Sequence, residues 1–241
     1  MTKDRMPDTP YAAWRHAFKL DPDRMIGDEA LEAVCLSGTD ILLVGGSSGV
    51  TYDNTVDLLA RIRRYEVPCA LELTDAAAAV PGFDWYLLPM VLNAGSVDWV
   101  TGRQAAAIAD YGAYLPWDIT FGEGYIILNE DAEAAKLTDA RTALKIGEAA
   151  AYAKLADRLM RLPLVYVEYS GRFGDMQLVR SIRAALTQSR LIYGGGIDTA
   201  ARAALAAEAA DTVVVGNVVY DDLAEALATV DAVKNTPAPT P

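Results

Sequence analysis

The chain alternates between short, nearly continuous apolar runs and longer stretches in which apolar residues recur every three or four positions. The runs are 17-AFKL-20, 41-ILLVG-45, 69-CALEL-73, 85-WYLLPMV-91, 124-GYIIL-128, 164-LVYVEY-169, 190-RLIYG-194 and 212-TVVVG-216. Such runs fit strands covered on both faces, as in parallel sheets. The stretches with helical spacing are 28–38, 53–65, 97–112, 142–162, 175–186, 198–209 and 220–233. A repeated strand–helix order implies βαβ units. Eight strands in about 220 residues predict a closed (β/α)8 TIM barrel, since an open sheet of eight parallel strands would usually need more chain. One unit is defective. The segment 74-TDAAAAVPGFD-84 is short and holds Pro81-Gly82, so a third helix is expected to be missing or replaced by irregular chain. Residues 1–10 and 235–241 are polar or proline-rich tails, which leaves 11–234 as a single domain.

Composition narrows the function. Hydrophobic residues make up 52% of the 241 and charged residues 22%, enough to bury a large core. The net charge of −12 argues against a general nucleic-acid binder, which needs a basic face. An anionic small molecule remains compatible, because backbone dipoles or a metal can hold a phosphate locally. Cys35 and Cys69 lack partners at metal-ligand spacing and read as reduced, buried side chains. The N-terminus is no signal peptide and no run approaches a membrane span, so the expectation is a soluble cytoplasmic protein.

The candidate chemistry sits at strand ends. The seventh strand runs into Gly194-Gly195-Gly196 and the eighth into Gly216-Asn217. In barrels these two loops commonly hold a phosphate, whose oxygens reach backbone N–H groups where no Cβ intervenes. Asp198 reads as a helix cap. The first strand ends with Lys19 and Asp21 on one side of an extended chain, a cation for a phosphate beside a carboxylate for a hard metal; a plain salt bridge is the alternative. Ser47 follows the second strand among glycines and could complete a metal or diphosphate site. Glu168 lies inside the apolar sixth strand, where a carboxylate must pair or do chemistry. His16 is the single histidine and reads as packing; 61-RIRRY-65 reads as a solvated helix end; Trp85, Tyr86 and Trp99 read as core.

The set FKLDP, VGGSSGVT, VPGFDWYLLPMVLN, YVEYSG, YGGGI and VVVGN, in order across about residues 14–233, resembles the PcrB / geranylgeranylglyceryl phosphate synthase family. It is most similar to the bacterial branch, the heptaprenylglyceryl phosphate synthases. The resemblance implies a Mg2+-dependent prenyltransferase that joins sn-glycerol 1-phosphate to a prenyl diphosphate. It implies that Lys19, Tyr166, Glu168, Tyr169, Ser170, Gly171, Gly194, Gly195, Gly196, Gly216 and Asn217 hold glycerol 1-phosphate. Asp21 and Ser47 would hold Mg2+, and Glu168 would take the proton. It further implies an irregular third helix, a homodimer and transient contact with a membrane surface. Gln104 and Ala107, in 103-RQAAAIADYG-112, are expected to line the prenyl groove, Ala107 being small enough to admit a long donor such as heptaprenyl. Two features depart from the family pattern: Gln104 stands where bacterial members often have histidine, and 129-NEDAE-133 replaces Asn-Pro-Asp. Two readings from other classes stay open: an isomerase or aldolase of a sugar phosphate, and a non-catalytic phosphate or lipid binder.

Overall fold

The computed structural model describes residues 9–74 and 79–239. Eight parallel strands close into a barrel in chain order: β1 (His16–Leu20), β2 (Ile41–Val44), β3 (Cys69–Glu72), β4 (Trp85–Val91), β5 (Thr120–Ile127), β6 (Leu164–Glu168), β7 (Arg190–Gly194) and β8 (Thr212–Val215). The ring is sealed where His16 and Ala17 of β1 meet Val213 and Val214 of β8, which rules out the open sheet.

Side chains divide between two apolar layers. Ala17, Ile41, Leu43, Ala70, Leu87, Tyr166 and Ile192 fill the barrel interior, while their neighbours Phe18, Leu42, Val165, Val167 and Val213 face the helices outside. Each strand is therefore buried on both faces, which is why it reads as a run rather than an alternation. The outer wall comprises α1 (Asp28–Leu36), α2 (Tyr52–Ile62), α3 (Gly102–Tyr111), α4 (Glu133–Thr138), α5 (Ile146–Lys154), α6 (Met176–Ala185), α7 (Ala200–Ala207), α8 (Val218–Asp221) and α9 (Leu223–Lys234).

The wall is irregular where the chain predicted a defect. Between β3 and β4 the described residues 73–74 and 79–84 form no helix, and 75–78 of that expectation lie outside the described residues, as do 1–8 and 240–241 of the tails. Other helices differ from the pattern. The stretch 97–112 breaks into a 3-10 turn (Val97–Trp99), capped by Ser96, and then α3. The stretch 142–162 starts helical only at Ile146, passes into a π-helical turn (Leu155–Met160) and stops at Arg161 in left-handed geometry, φ 54°. Asp222 divides 220–233 because its carboxylate accepts from the Glu225 N–H and starts a new helix, α9. Residues 129–133, expected as loop, lead into the short α4.

Several polar readings change. The 61–65 cluster is a brace rather than a solvated end: Arg61 pairs with Asp28 at 2.8 Å and Arg63 with Asp84 at 2.9 Å, tying α2 to the chain before β4. Thr199, not Asp198, caps α7, and Asp198 pairs with Arg202. Cys35 and Cys69 are free and buried, and burial pushes their thiols up to about 11 and about 12.

His16 is fully buried, with Nδ1 2.9 Å from the Thr39 hydroxyl and Nε2 2.9 Å from that of Thr229. Burial lowers its pKa to about 3. The folded state thus binds fewer protons than the unfolded state below the ordinary histidine value. Stability is full above pH ~6.5 and falls by up to about 1.4 kcal/mol per pH unit as the pH drops toward 3. Chemical denaturation of the parent and of His16→Gln between pH 7 and 5 checks this: the parent's slope should exceed the variant's by that amount, and parallel curves would remove His16 as the cause.

Candidate functional site

Two cavities open at the carboxyl ends of the strands. One, of about 580 Å3, is polar and is lined by Asp21, Tyr166, Ser170, Gly171, Gly194–Gly196, Gly216 and Asn217. The other, of about 530 Å3, runs beneath α3 and is walled by Leu88, Pro89, Trp99, Ala106, Ala107 and Leu115. They meet at Lys19, Gly46, Ser47, Ala134 and Glu168, which line both. The structure therefore gathers the expected phosphate residues on one side of a junction and the expected groove residues on the other.

Strand geometry sets this junction. Lys19 of β1, Glu72 of β3, Tyr125 of β5 and Tyr166 and Glu168 of β6 point into the barrel interior. Lys19 Nζ lies 2.7 Å from Glu72 Oε2, 3.4 Å from the Tyr125 hydroxyl and 5.5 Å from the centre of the Tyr166 ring. The Tyr125 hydroxyl donates a short hydrogen bond to the other Glu72 oxygen, and the Tyr125 and Tyr166 rings stack at 4.5 Å and 5°. Burial works against the Lys19 ammonium, but Glu72 and Glu168 outweigh it, so the pKa is raised and Lys19 stays charged. Glu168 is 4% exposed and accepts the Ser170 N–H at 2.5 Å. Burial raises its pKa against the opposing pull of Lys19, which turns a weak base into one able to accept a proton nearer neutral pH.

The glycines answer to the protein as well as to a ligand. A Cβ on Gly194 would stand 2.0 Å from the Tyr166 hydroxyl, and one on Gly196, whose φ is +60°, 2.0 Å from the Phe173 nitrogen. These positions let the loop after β6 pack against the end of β7. Gly216 is uncrowded by contrast, the nearest neighbour of a Cβ there being the Lys19 carbonyl at 3.8 Å. Tyr169 departs from its expected place. Its side chain packs outside the barrel against Gly174 and Tyr193 and lines neither cavity, while its N–H donates to the Gly194 carbonyl at 2.7 Å. Strand alternation accounts for this: Glu168 points in, so Tyr169 points out.

Ser47 lies at the junction and Asp21 in the polar cavity, its carboxylate against Gly46, the residue before Ser47. The Asp21 carboxylate accepts the Asp23 N–H at 3.0 Å and abuts Gly46, and burial raises its pKa. Among the described residues no group of three or more His, Cys, Asp or Glu side chains could hold a metal alone. Asp21 and Ser47 suit instead an ion that takes most of its oxygens from a substrate and water, the usual habit of Mg2+. Gln104 and Ala107 both line the groove, the Gln104 amide donating to the Pro89 carbonyl at 2.5 Å.

Sequence reasoning missed four residues. Glu72 and Tyr125 carry the ion pair. Arg24 stacks on Tyr220 at 3.9 Å and donates to the Asn217 side chain at 2.9 Å, which brings a second cation to the polar cavity. Asn129 donates to the Ser170 carbonyl at 2.6 Å and so fixes the loop that carries Glu168's partner. Glu72, charged within CALEL, bore the same signal that singled out Glu168.

A sequence profile of the PcrB family matches residues 10–235. The chain belongs to the PcrB family. The heptaprenylglyceryl phosphate synthase of Geobacillus thermodenitrificans (strain NG80-2) is 58% identical over 222 residues, 92% of this chain and 93% of the relative. That of Brevibacillus brevis (strain 47 / JCM 6285 / NBRC 100599) is 54% identical over 94% of this chain and 98% of the relative. The fold of this PcrB-family chain matches (S)-3-O-geranylgeranylglyceryl phosphate synthase from Thermoplasma acidophilum, solved with sn-glycerol-1-phosphate. The TM-score is 0.83 at 22% identity, over 96% of this chain and 97% of that one.

The contrast between Gly194 and Gly216 gives a direct check. Gly194→Ala, forced against Tyr166, should cost about 1–3 kcal/mol of stability, whereas Gly216→Ala should cost less than about 1 kcal/mol. Denaturant unfolding of both variants measures this, and equal losses would contradict the packing described.

Proposed function

We propose that this chain forms an ether between a hydroxyl of sn-glycerol 1-phosphate and a long-chain prenyl diphosphate, heptaprenyl in preference to geranylgeranyl, and releases diphosphate. The observation that carries the reading is the junction: a glycine-rich polar cavity and an apolar groove share Lys19, Ser47 and Glu168. A phosphate seated on the N–H groups beyond β7 and β8 would hold the acceptor, and Arg24 would add charge at its rim. The diphosphate would lie at Asp21, Ser47 and Lys19, with its tail along the groove under α3. Mg2+ held by Asp21 and Ser47 would supply Lewis-acid stabilisation of charge on the leaving diphosphate.

The step then balances. The allylic carbon–oxygen bond breaks and its electron pair leaves with diphosphate. The acceptor oxygen bonds to that carbon, and its proton passes to the Glu168 carboxylate. Ser170 holds one Glu168 oxygen, which fixes the direction of the other. An aldolase using a Schiff base fits less well, because the lysine at this site is kept as an ammonium by Glu72.

Donor and product of this reaction are lipids. Among the described residues no helix is long and apolar enough to cross a membrane, so the same reading has the chain visit the membrane surface transiently from the cytoplasm. The family resemblance adds the expectation of a homodimer.

Glu168→Gln should lower turnover by roughly 10²–10⁴-fold while glycerol phosphate still binds, as followed by labelled ether formation and by calorimetry. Near-normal turnover would end the general-base role. In the parent, activity should fall as the pH drops through a pKa above the ordinary carboxylate value of about 4.3, because the base is lost when it protonates. Chelation of divalent ions should abolish turnover and added Mg2+ restore it. Ala107→Trp should move the best donor to a shorter prenyl chain, and an unchanged donor profile would remove Ala107 as the stop.

A further inference from the structure

The outer face of the groove wall is apolar and uncovered. α3 buries none of its residues completely, and the stretch 103–118 shows Ile108, Tyr111, Tyr114 and Trp117 to solvent, Tyr114 84% and Trp117 51% exposed. Of the exposed aromatic side chains among the described residues, Tyr52 stands apart and the other three fall within 111–117. A contiguous patch of this kind marks a contact surface, whereas single exposed apolar residues do not.

The patch is continuous with the groove. Ala106, Ala107, Tyr111 and Leu115 of the same stretch line the groove from within. Tyr111 and Leu137 line it and are also exposed, so the groove reaches the surface beside the patch. A second copy of the chain seated here would cover that opening. A lipid surface would instead hold the source of a long prenyl tail against it.

The chemistry of the patch fits lipid. Tyrosine and tryptophan suit the boundary between water and acyl chains, where an apolar ring and a polar tip are both satisfied. The Trp117 indole N–H already donates to the Gly112 carbonyl at 3.0 Å, so placing that ring among acyl chains strands no donor. Charge selects the kind of surface. The stretch carries Arg103 against Asp110 and Asp118, and the whole chain is at −12. No basic cluster is there to draw anionic headgroups, and the two carboxylates disfavour them.

We propose that Tyr114 and Trp117, with Ile108 and Tyr111, dock the chain on a zwitterionic lipid surface by inserting apolar rings, which sets the mouth of the groove against the lipid that carries the donor. This inference rests on the prenyl groove of the proposed function.

The test is flotation of the full chain with phosphatidylcholine vesicles, for the parent and for the double variant Tyr114→Ser, Trp117→Ser. Neither residue lines the groove, and Tyr114→Ser alone stands in if the double variant does not fold. The parent should float with the vesicles, and the double variant should bind them at least about tenfold more weakly. Added salt should leave binding unchanged, and anionic lipid should not strengthen it. Ether formation should fall in the variant when the long donor is carried in vesicles and match the parent when the donor is dispersed in detergent. A parent that does not float, a variant that floats equally well, or binding that grows with anionic lipid overturns the proposal. So does a parent dimer that the two substitutions split into monomers, since the face would then belong to a second copy. Detergent-supported ether formation without flotation sinks the surface alone, whereas flotation lost in the variant with no ether from any donor upholds the surface and sinks the prenyltransferase reading.

Discussion

The site depends on a charge held inside the barrel. Lys19 projects from β1 into an interior that aliphatic and aromatic side chains share with the carboxyl groups of Glu72, Glu123 and Glu168, and it remains an ammonium because Glu72 meets it at 2.7 Å. A buried ion pair of this kind adds little net stability, because desolvation offsets most of the attraction. What it does is fix a position. The Tyr125 hydroxyl and the stacked Tyr125–Tyr166 rings hold the pair where the polar cavity and the apolar groove meet. The same charge favours the Glu168 carboxylate in a place where burial works against it.

The barrel supplies the rest by geometry. Side chains of parallel strands alternate in and out, so a carboxylate two residues from an inward apolar side chain also points inward. Glu168 points in with Tyr166, and Tyr169 is sent outside to pack on Tyr193. The glycines after β7 let the loop after β6 lie directly on them, which brings Ser170 and Gly171 to the same cavity as Gly194–Gly196. On the other side, the β3–β4 connection has no helix among its described residues, and α3 lies over the groove without burying any of its own residues completely. The irregular wall and the groove belong to the same half of the molecule.

Much of this is legible in the chain. Seven strands appear within about two residues of their places, because continuous apolar runs bounded by glycine and polar residues leave little choice. The fifth is instructive. It begins at Thr120 rather than Gly124, since TFGE is too mixed to read as strand by hydrophobicity alone. Starting it late put Glu123 in a loop and concealed that Glu123, Tyr125 and Ile127 share the inner face. Glu72 is hidden differently: it is one polar residue in a short run, and its partner lies 53 positions away. Pairings across the barrel leave no local trace in a sequence, whereas strand-end glycines and the YVEYSG motif do. The helix break at Asp222 is set by its own capping carboxylate, and both it and the π-helical turn after α5 interrupt stretches whose apolar period runs on.

The central claim is that the two cavities bring a glycerol phosphate hydroxyl and an allylic diphosphate together at Glu168. The measurement that tests it most directly gives the protein Mg2+, labelled glycerol 1-phosphate of each hand, and prenyl diphosphates of four to seven isoprene units. The account predicts label in an organic-soluble ether from the sn-1 form alone, with the longest donor preferred. Binding of glycerol 1-phosphate with no transfer from any donor would contradict it, leaving the phosphate cavity correct and the chemistry wrong.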